Sequence, residues 1–213
     1  MPADLYRKQS DNMEIKDKLF NKYSYDVQVS DETIRDYINL RPSVIPHTFG
    51  RVGKRKLRVQ KNVVELLINK LMRGGTGEKL GGKLIRTHGK LQGKKTRVIA
   101  IVEEAFDSIQ EKQKRNPIEL LIKAIENSSP REDVTRVEYG GVRYQVAVDV
   151  SPKRRVDMAL RNISLAAIMS SFDKKATLAE ALANEITLAA NEDANSYAIK
   201  RKDEAERIAR SAR

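Results

Sequence analysis

Residues 134–155 read VTRVEYGGVRYQVAVDVSPKRR. Two runs in this stretch alternate apolar and polar residues with a period of two, which predicts β-strands. Gly140-Gly141 lies between the runs, as a two-residue hairpin turn requires. Ser151-Pro152 then predicts a helix start, because serine is a common N-cap and proline suits the first helical position. The stretch therefore predicts one β-hairpin, at about residues 133–150, followed directly by a helix.

Helical periodicity dominates the rest of the chain. Val64, Leu67, Ile68 and Leu71 recur at the spacing of one helical face. Comparable patterns predict helices that begin near Ser30 (a short one, through Leu40), Val63, Val98, Asn116, Ser151, Thr177 and Ser196. Because a lone hairpin is not stable by itself, it must lean on the helices or project from them. We predict a mainly α fold, a bundle of five to six helices with one protruding β-hairpin and a basic N-terminal extension.

Two segments differ from the helical domain in composition. Residues 1–56 are polar, partly helical and basic at their end, and we interpret them as an N-terminal extension. Residues 57–213 are predicted to form a single domain. Within it, seven of the eleven glycines lie between Gly74 and Gly93. We expect no packed element there, and long loops of this kind are usually functional or disordered.

The net positive charge of the chain comes from one region. Residues 51–97 hold 15 lysines and arginines against Glu65 and Glu78, a net charge of +13, whereas the whole chain carries +12. Crowding like charges costs free energy unless an anion offsets it, and the commonest polyanion that does so is a nucleic-acid backbone.

Candidate nucleic-acid contacts follow from this charge. One run, from Arg51 to Lys61, has no acidic residue within it. Apolar residues are interleaved with its cations, which favours an ordered segment over a disordered arm or a targeting patch. A second group occupies the glycine-rich region, where an open backbone permits close approach to phosphates. The candidate residues of the two groups are Arg51, Lys54, Arg55, Lys56, Arg58, Lys61, Lys83, Arg86, Lys90, Lys94, Lys95 and Arg97.

A third group is Lys153-Arg154-Arg155, in the first turn of the predicted helix after the hairpin. The helix dipole disfavours cations at this position. They become favourable when a phosphate binds at the helix N-terminus. The alternative is an exposed turn whose charges extend into water.

The hairpin is open to two interpretations. Its valine face can cover the core, or its tip can reach a groove or stack on a base. The tip residues are Arg136, Gly140, Gly141, Arg143 and Tyr144. Both interpretations hold together when the base of the hairpin packs against the core and its tip extends away from it.

The sequence contains no complete catalytic or cofactor-binding pattern. The chain has no cysteine, and its two histidines, His47 and His88, lie in irregular segments without a nucleophile or a metal-ligand set. Two approximate phosphate-loop matches follow a helix rather than a strand, and neither keeps both the required spacing and the magnesium-binding hydroxyl. No apolar run reaches the length of a membrane span, and the N-terminus has no apolar core of a signal peptide. We expect a cytosolic protein without catalysis, cofactor or metal.

Several blocks of sequence resemble the seventh protein of the small ribosomal subunit. The most specific block runs from Tyr139 to Ile163 and includes the hairpin turn and Pro152-Lys153-Arg154-Arg155. The other resembling parts are Asn62 to Met72, Gly93-Lys94-Lys95, Asn116 to Ser128, Leu182 to Ile186 and Lys200-Arg201-Lys202. A longer N-terminus, a longer loop from Gly74 to Gly93 and the lack of an aromatic C-terminal tail resemble the archaeal branch.

The resemblance implies a structural protein that binds 16S rRNA, organises the 3′ domain (the head) of the small subunit, and works in the cytoplasm. It places the hairpin near the exit-site tRNA and the mRNA path, and the ninth and eleventh proteins of the subunit as neighbours. It implies no homo-oligomer. It also implies that Lys94, Lys95, Lys153, Arg154 and Arg155 lie on the RNA face.

The residues leave two other functions to consider. An architectural DNA-binding protein with hairpin arms needs a dimer and prefers duplex DNA. An RNA-modifying enzyme needs a cofactor loop or a catalytic set, and the sequence shows neither.

Overall fold

The computed structural model describes residues 18–48, 61–73, 91–172 and 174–212, and the backbone alone of residues 79–80, 83–84 and 139. The helices are α1 (Glu32–Arg35), α2 (Val63–Leu71), α3 (Lys95–Gln113), α4 (Pro117–Ser128), α5 (Pro152–Ser171), α6 (Leu178–Ala190) and α7 (Tyr197–Ser211). The strands are β1 (Lys79–Leu80), β2 (Lys83–Leu84), β3 (Glu132–Tyr139) and β4 (Val142–Asp149). The prediction of a mainly α fold with a hairpin is confirmed.

The predicted caps begin the helices. The Asn116 side chain accepts a hydrogen bond from the backbone N–H of Ile118 at 3.1 Å, with Pro117 at the first position of α4. At the start of α6, which was predicted near Thr177, Thr177 and Glu180 each accept from the other's backbone N–H at 3.2 Å and so form a capping box. Short-range sequence patterns therefore define where these helices start.

Helix α6 lies at the centre of the bundle and packs against α3, α4 and α5. Its sequence, LAEALANEITLAA, is rich in alanine, and the small side chains let neighbouring helices approach closely. Leu182 and Ile186 are fully buried, and with Phe106 of α3 and Leu121 of α4 they belong to one aliphatic core. Helix α2 packs against α3 and α5 at the edge of this core.

The segment that precedes the basic region is part of the same core. Leu19, Tyr23 and Tyr25 are buried, and the Tyr23 ring meets the edge of Phe106 with centroids 6.0 Å apart. The Tyr23 hydroxyl donates a hydrogen bond to Asp107, which also accepts one from Lys22 at 2.8 Å. The domain boundary predicted at residue 57 lies outside the described residues, but residues 18–48 on its N-terminal side pack with the helices.

Helix α1 is shorter than predicted. Asp31 caps it, accepting from the N–H of Thr33 at 2.9 Å, but the helix ends at Arg35 rather than near Leu40. Beyond it, the carbonyl of Asn39 accepts a hydrogen bond from the N–H of Val63 at 3.0 Å. This bridge to the start of α2 needs an extended backbone, so tertiary contact overrides the local helical pattern.

The glycine-rich region also departs from its prediction. Its composition predicts no element between Gly74 and Gly93, yet β1 and β2 pair antiparallel, with Lys79 opposite Leu84 and Leu80 opposite Lys83. The two Lys-Leu pairs are separated by two residues, which is a common hairpin connection length.

The larger hairpin leaves the bundle beside α7. The backbone N–H of Arg131, at the base of β3, donates to the Glu206 carboxylate of α7 at 3.1 Å. Ala198, Ile199 and Ala209 of α7 are buried, whereas Ile208 is 42% exposed. Helix α7 packs on both β3 and α5.

Candidate nucleic-acid interface

The start of α5 presents two exposed cations and no acidic side chain. Ser151 occupies the N-cap but its side chain makes no capping hydrogen bond, and Pro152 is the first helical residue. Lys153 and Arg154 are exposed, and Arg154 reaches Asp133 only at 3.4 Å while 65% of its side chain remains exposed. Free backbone N–H groups, the helix dipole and two cations together suit a phosphate.

Arg155 is separated from those two cations by the geometry of the helix. Its side chain is buried, and its guanidinium donates to the Asp31 carboxylate at 2.9 Å and to the Ser129 hydroxyl at 3.1 Å. Thr33 accepts a further hydrogen bond from it. Since the helix turns about 100° per residue, adjacent side chains point in different directions, and residue 155 faces inward. The three cations predicted as one surface group are therefore two surface cations and one internal one.

The Arg155 cluster holds the N-terminal segment on the bundle. Burial alone raises the pKa of Asp31, but the hydrogen bonds from Thr33 and Arg155 outweigh it, and the pKa lies below its ordinary value. The Nε atom of Arg155 is buried and has no hydrogen-bond partner in the described part of the chain. The cluster thus favours the ionised carboxylate and joins Asp31, α5 and the end of α4.

At the start of α3, the cations again divide between surface and interior. Lys94 and Arg97 are exposed, and α3 has neither a side-chain cap nor an acidic residue in its first turn. Lys95 instead donates to the Glu65 carboxylate of α2 at 2.6 Å, with 17% of its side chain exposed. Lys94 and Arg97 thus remain available to an anion, while Lys95 ties α3 to the first turn of α2.

Glu65 is a buried carboxylate with three hydrogen-bond donors. Besides Lys95, the backbone N–H and the hydroxyl of Thr48 donate to it at 3.2 Å and 2.9 Å. Burial raises its pKa, yet the hydrogen bonds from Lys95 and Thr48 outweigh that effect and set the pKa below its ordinary value. Glu65 therefore joins the chain just before the basic run to the start of α3.

A cleft of about 440 Å³ lies between α2 and α5. Lys61 and Lys153, both predicted as RNA contacts, line it although they are far apart in the sequence. Lys70 and Arg73 line it too, and Lys70 forms an ion pair with Asp157 at 3.1 Å. We call this feature the α2–α5 cleft.

Sequence patterns did not identify Lys70 and Arg73 as candidate contacts. Lys70 lies on the polar side of α2, away from the buried face of Val64, Leu67 and Leu71, and Arg73 follows the helix end. That much is visible in the sequence. No local pattern shows, however, that α5 forms the opposite wall.

The larger hairpin separates its arginines from its tyrosine. Opposed residues of an antiparallel pair share a face. The register places Arg136 opposite Gln145 and Arg143 opposite Glu138 on one face, and Tyr144 opposite Val137 on the other. Arg143 pairs with Glu138 at 3.3 Å, and both side chains are highly exposed. A nucleic acid therefore meets either a charged face or an apolar one.

The valine face of the hairpin does not cover the core. Tyr144, Val137, Val142, Val146 and Val148 are exposed large hydrophobic residues, each on the face that includes Tyr144. These side chains therefore do not cover the core, although the base of the hairpin packs against α7. Gly140 and Gly141 have φ values of 58° and 79°, the positive values that the predicted two-residue turn requires.

The remaining candidate residues lie outside the described residues, apart from the backbone of Lys83. They are Arg51, Lys54, Arg55, Lys56, Arg58, Arg86 and Lys90.

Neither a metal site nor a membrane span is found in the described ranges. The parts of the chain that the structure describes contain no group of three or more histidine, aspartate and glutamate side chains placed to hold a metal ion. None of the described helices combines the length and apolarity that crossing a membrane requires.

Comparison with known proteins identifies the family. The family model described as ribosomal protein S7p/S5e matches residues 34–213. The small ribosomal subunit protein uS7 of Methanothermobacter thermautotrophicus is 46% identical over 196 residues, which cover 91% of this chain and 98% of that protein. The protein of the same name from Methanosphaera stadtmanae is 43% identical over 197 residues, covering 92% and 98%.

These relatives are ribosomal proteins, structural rather than enzymatic, which agrees with the prediction of a protein without catalysis. The predicted resemblance to the archaeal branch is confirmed by the two methanogen relatives. The chain therefore belongs to the ribosomal protein S7p/S5e family.

Proposed function

We propose that this chain is a structural constituent of the small ribosomal subunit in the cytoplasm and that it binds 16S rRNA. The observation that carries the proposal is the set of cations left without ion pairs around α2, α3 and α5. Lys61, Lys94, Arg97 and Lys153 form no ion pair with any residue in the described ranges. Unpaired cations of like sign on one surface favour binding of a polyanion, and the relatives are proteins of the small ribosomal subunit.

The mode of binding we propose is contact with phosphates on a shaped RNA surface. The starts of α3 and α5 offer free N–H groups beside Lys94, Arg97, Lys153 and Arg154. Such groups bind phosphates without reading sequence. Lys95 and Arg155 act indirectly in this proposal, because their internal ion pairs hold α3 and α5 in place. The candidate residues outside the described ranges remain part of the proposal because of their charge alone.

A finer role follows from the resemblance and is part of the proposal. The protein organises the 3′ domain of the rRNA, in the head of the subunit, and its hairpin lies near the exit-site tRNA and the mRNA path. The ninth and eleventh proteins of the subunit are its neighbours, and it forms no homo-oligomer. The projecting hairpin supports this role, since its charged face suits a nucleic-acid backbone and its valine face suits an apolar partner.

The test is a binding competition at about 0.15 M monovalent salt, near physiological ionic strength. Labelled transcript of the archaeal 16S 3′ domain is titrated with the protein, and unlabelled 5′-domain transcript or duplex DNA of equal length competes. We expect the 3′-domain transcript to be retained against both. Equal competition by duplex DNA would favour the architectural DNA-binding alternative and overturn the proposal.

A further inference from the structure

We propose that the α2–α5 cleft holds one unpaired base of the bound RNA, so that this chain reads a nucleotide as well as contacting phosphates. The inference rests on the proposed RNA-binding function and adds a site to it. The volume of about 440 Å³ lies in the range of small-ligand pockets, roughly 300–1,000 Å³. A nucleotide is a ligand of that size class.

The walls of the cleft are suited to the flat face of a base. Tyr37 is half-buried, and it lines the cleft together with the partly buried Leu66 and Met72 and the buried Val156. Unstacked RNA bases are recognised by stacking on aromatic and apolar side chains, independently of base identity. Because Tyr37 also packs against the core, its ring is held in place before a ligand arrives.

Polar groups in the cleft can recognise the edge of a base. Asn69 lines it, and no hydrogen-bond partner for its amide is found among the residues that the structure describes. Asparagine offers both donors and an acceptor, as a base edge requires. Asp157 adds a carboxylate acceptor, and its ion pair with Lys70 at 3.1 Å offsets its charge. The cleft therefore holds an amide without a partner among the described residues beside a charge-paired carboxylate, and such groups can fix the orientation of a ligand.

The cations of the cleft select a nucleotide over an uncharged planar ligand. Lys61, Arg73 and Lys153 line it and form no ion pair with a described residue. Phosphates on either side of an inserted base would neutralise them. The Asp157 carboxylate disfavours a phosphate deep in the cleft, so the base enters and the backbone stays near the cations. The same chemistry would admit a free nucleotide, and the experiment separates the two sources.

The test compares four variants on the 3′-domain transcript. Asn69→Ala removes the amide, Tyr37→Ala removes the ring, Tyr37→Phe keeps the ring, and Asn184→Ala on α6 is a control asparagine that contacts Lys112 rather than the cleft. Base-specific chemical modification and hydroxyl-radical cleavage are mapped on each complex. Circular dichroism checks that each variant folds.

We expect an unpaired base to be protected by the wild type, by Tyr37→Phe and by Asn184→Ala. The protection should be lost with Asn69→Ala and Tyr37→Ala, while backbone protections elsewhere persist. Loss of stacking should weaken affinity roughly ten-fold for Tyr37→Ala. If Tyr37→Ala fails to fold, the Asn69→Ala footprint decides the result alone.

Two results would overturn the inference while the proposed function stands. In one, the wild type binds the transcript but Asn69→Ala keeps every base protection. In the other, free nucleoside monophosphates at millimolar concentration displace no RNA yet bind the protein in a manner that Asn69→Ala abolishes, which would identify a mononucleotide site. Failure of the wild type to bind the transcript would instead refute the proposed function itself.

Discussion

The guanidinium of Arg155 lies 2.9 Å from the carboxylate of Asp31, and this ion pair joins the start of α5 to the cap of α1. It links one of the cations predicted for RNA contact to the segment interpreted as an extension. Both side chains are largely withdrawn from solvent, at 7% and 20% exposure. Arg155 therefore belongs to the folding of the domain, and its neighbour Arg154 to the surface.

The first prediction is that these two arginines contribute differently to the free energy of unfolding. Arg155→Ala leaves Asp31 without its charged partner and should lower the free energy of unfolding by roughly 2–3 kcal/mol. Arg154→Ala, the matched control, should change it by less than about 0.5 kcal/mol because Arg154 is mostly exposed. Urea denaturation followed by circular dichroism measures both. Equal effects of the two changes would contradict the assignment of Arg155 to the interior.

The second prediction concerns the surface cations of α5. Replacing Lys153 and Arg154 together by glutamine should weaken binding to the rRNA transcript. It should also reduce the slope of log K against log salt by roughly one for each phosphate that the variant no longer neutralises. Filter binding between about 50 and 200 mM salt gives the slope.

The control for the second prediction removes two positive charges at the other end of α5. Lys174 and Lys175 are exposed just beyond α5, about 30 Å from its start for a helix of 20 residues. Their double glutamine variant should keep the wild-type slope. A reduced slope in both variants would indicate an effect of net charge rather than a phosphate site.

The third prediction is a pH dependence at Glu65. Its pKa in the folded chain lies below the ordinary value of 4.5, so the unfolded state binds the proton more tightly. The stabilisation is therefore complete above about pH 4.5 and is lost as the pH falls through the folded-state pKa. Asp31, whose pKa is lowered from 3.8, contributes with the same sign at lower pH.

Glu65→Gln isolates this contribution. At neutral pH it should cost roughly 2–3 kcal/mol, because Lys95 loses its ionised partner in a mostly buried position. Between about pH 6 and pH 3.5 the difference in unfolding free energy between wild type and variant should shrink. A difference that stays constant over this range would show that the Glu65 charge does not stabilise the fold.

The fourth prediction tests the exposed face of the hairpin. Val146→Thr together with Val148→Thr should change the free energy of unfolding by less than about 0.5 kcal/mol, since both side chains are exposed. Val98→Thr, at a fully buried position of α3, should cost about 1–3 kcal/mol by burying a hydroxyl. Thermal and urea unfolding compare the two. A large loss from the hairpin pair would mean that its valine face packs against the bundle in solution.

Local patterns were sufficient for most of the fold. The caps at Asn116 and Thr177, the turn at Gly140-Gly141 and the alternation in β4 each depend on neighbours within a few residues, and each was predictable. The end of α1 at Arg35 was not, because the bond from Val63 to Asn39 joins distant residues. Likewise, exposure of the valine face depends on where the hairpin leaves the bundle.

The division of the candidate cations between the surface and the interior also depended on the tertiary structure. Charge counting identified Lys153, Arg154 and Arg155 together, because residue type carries no information about direction. Helical geometry and the position of Asp31 decided that Arg155 faces inward and that Arg154 faces solvent. The α2–α5 cleft was decided by tertiary packing. Lys61 and Lys153 line the same cleft only because α2 and α5 bury their apolar faces against each other and the core.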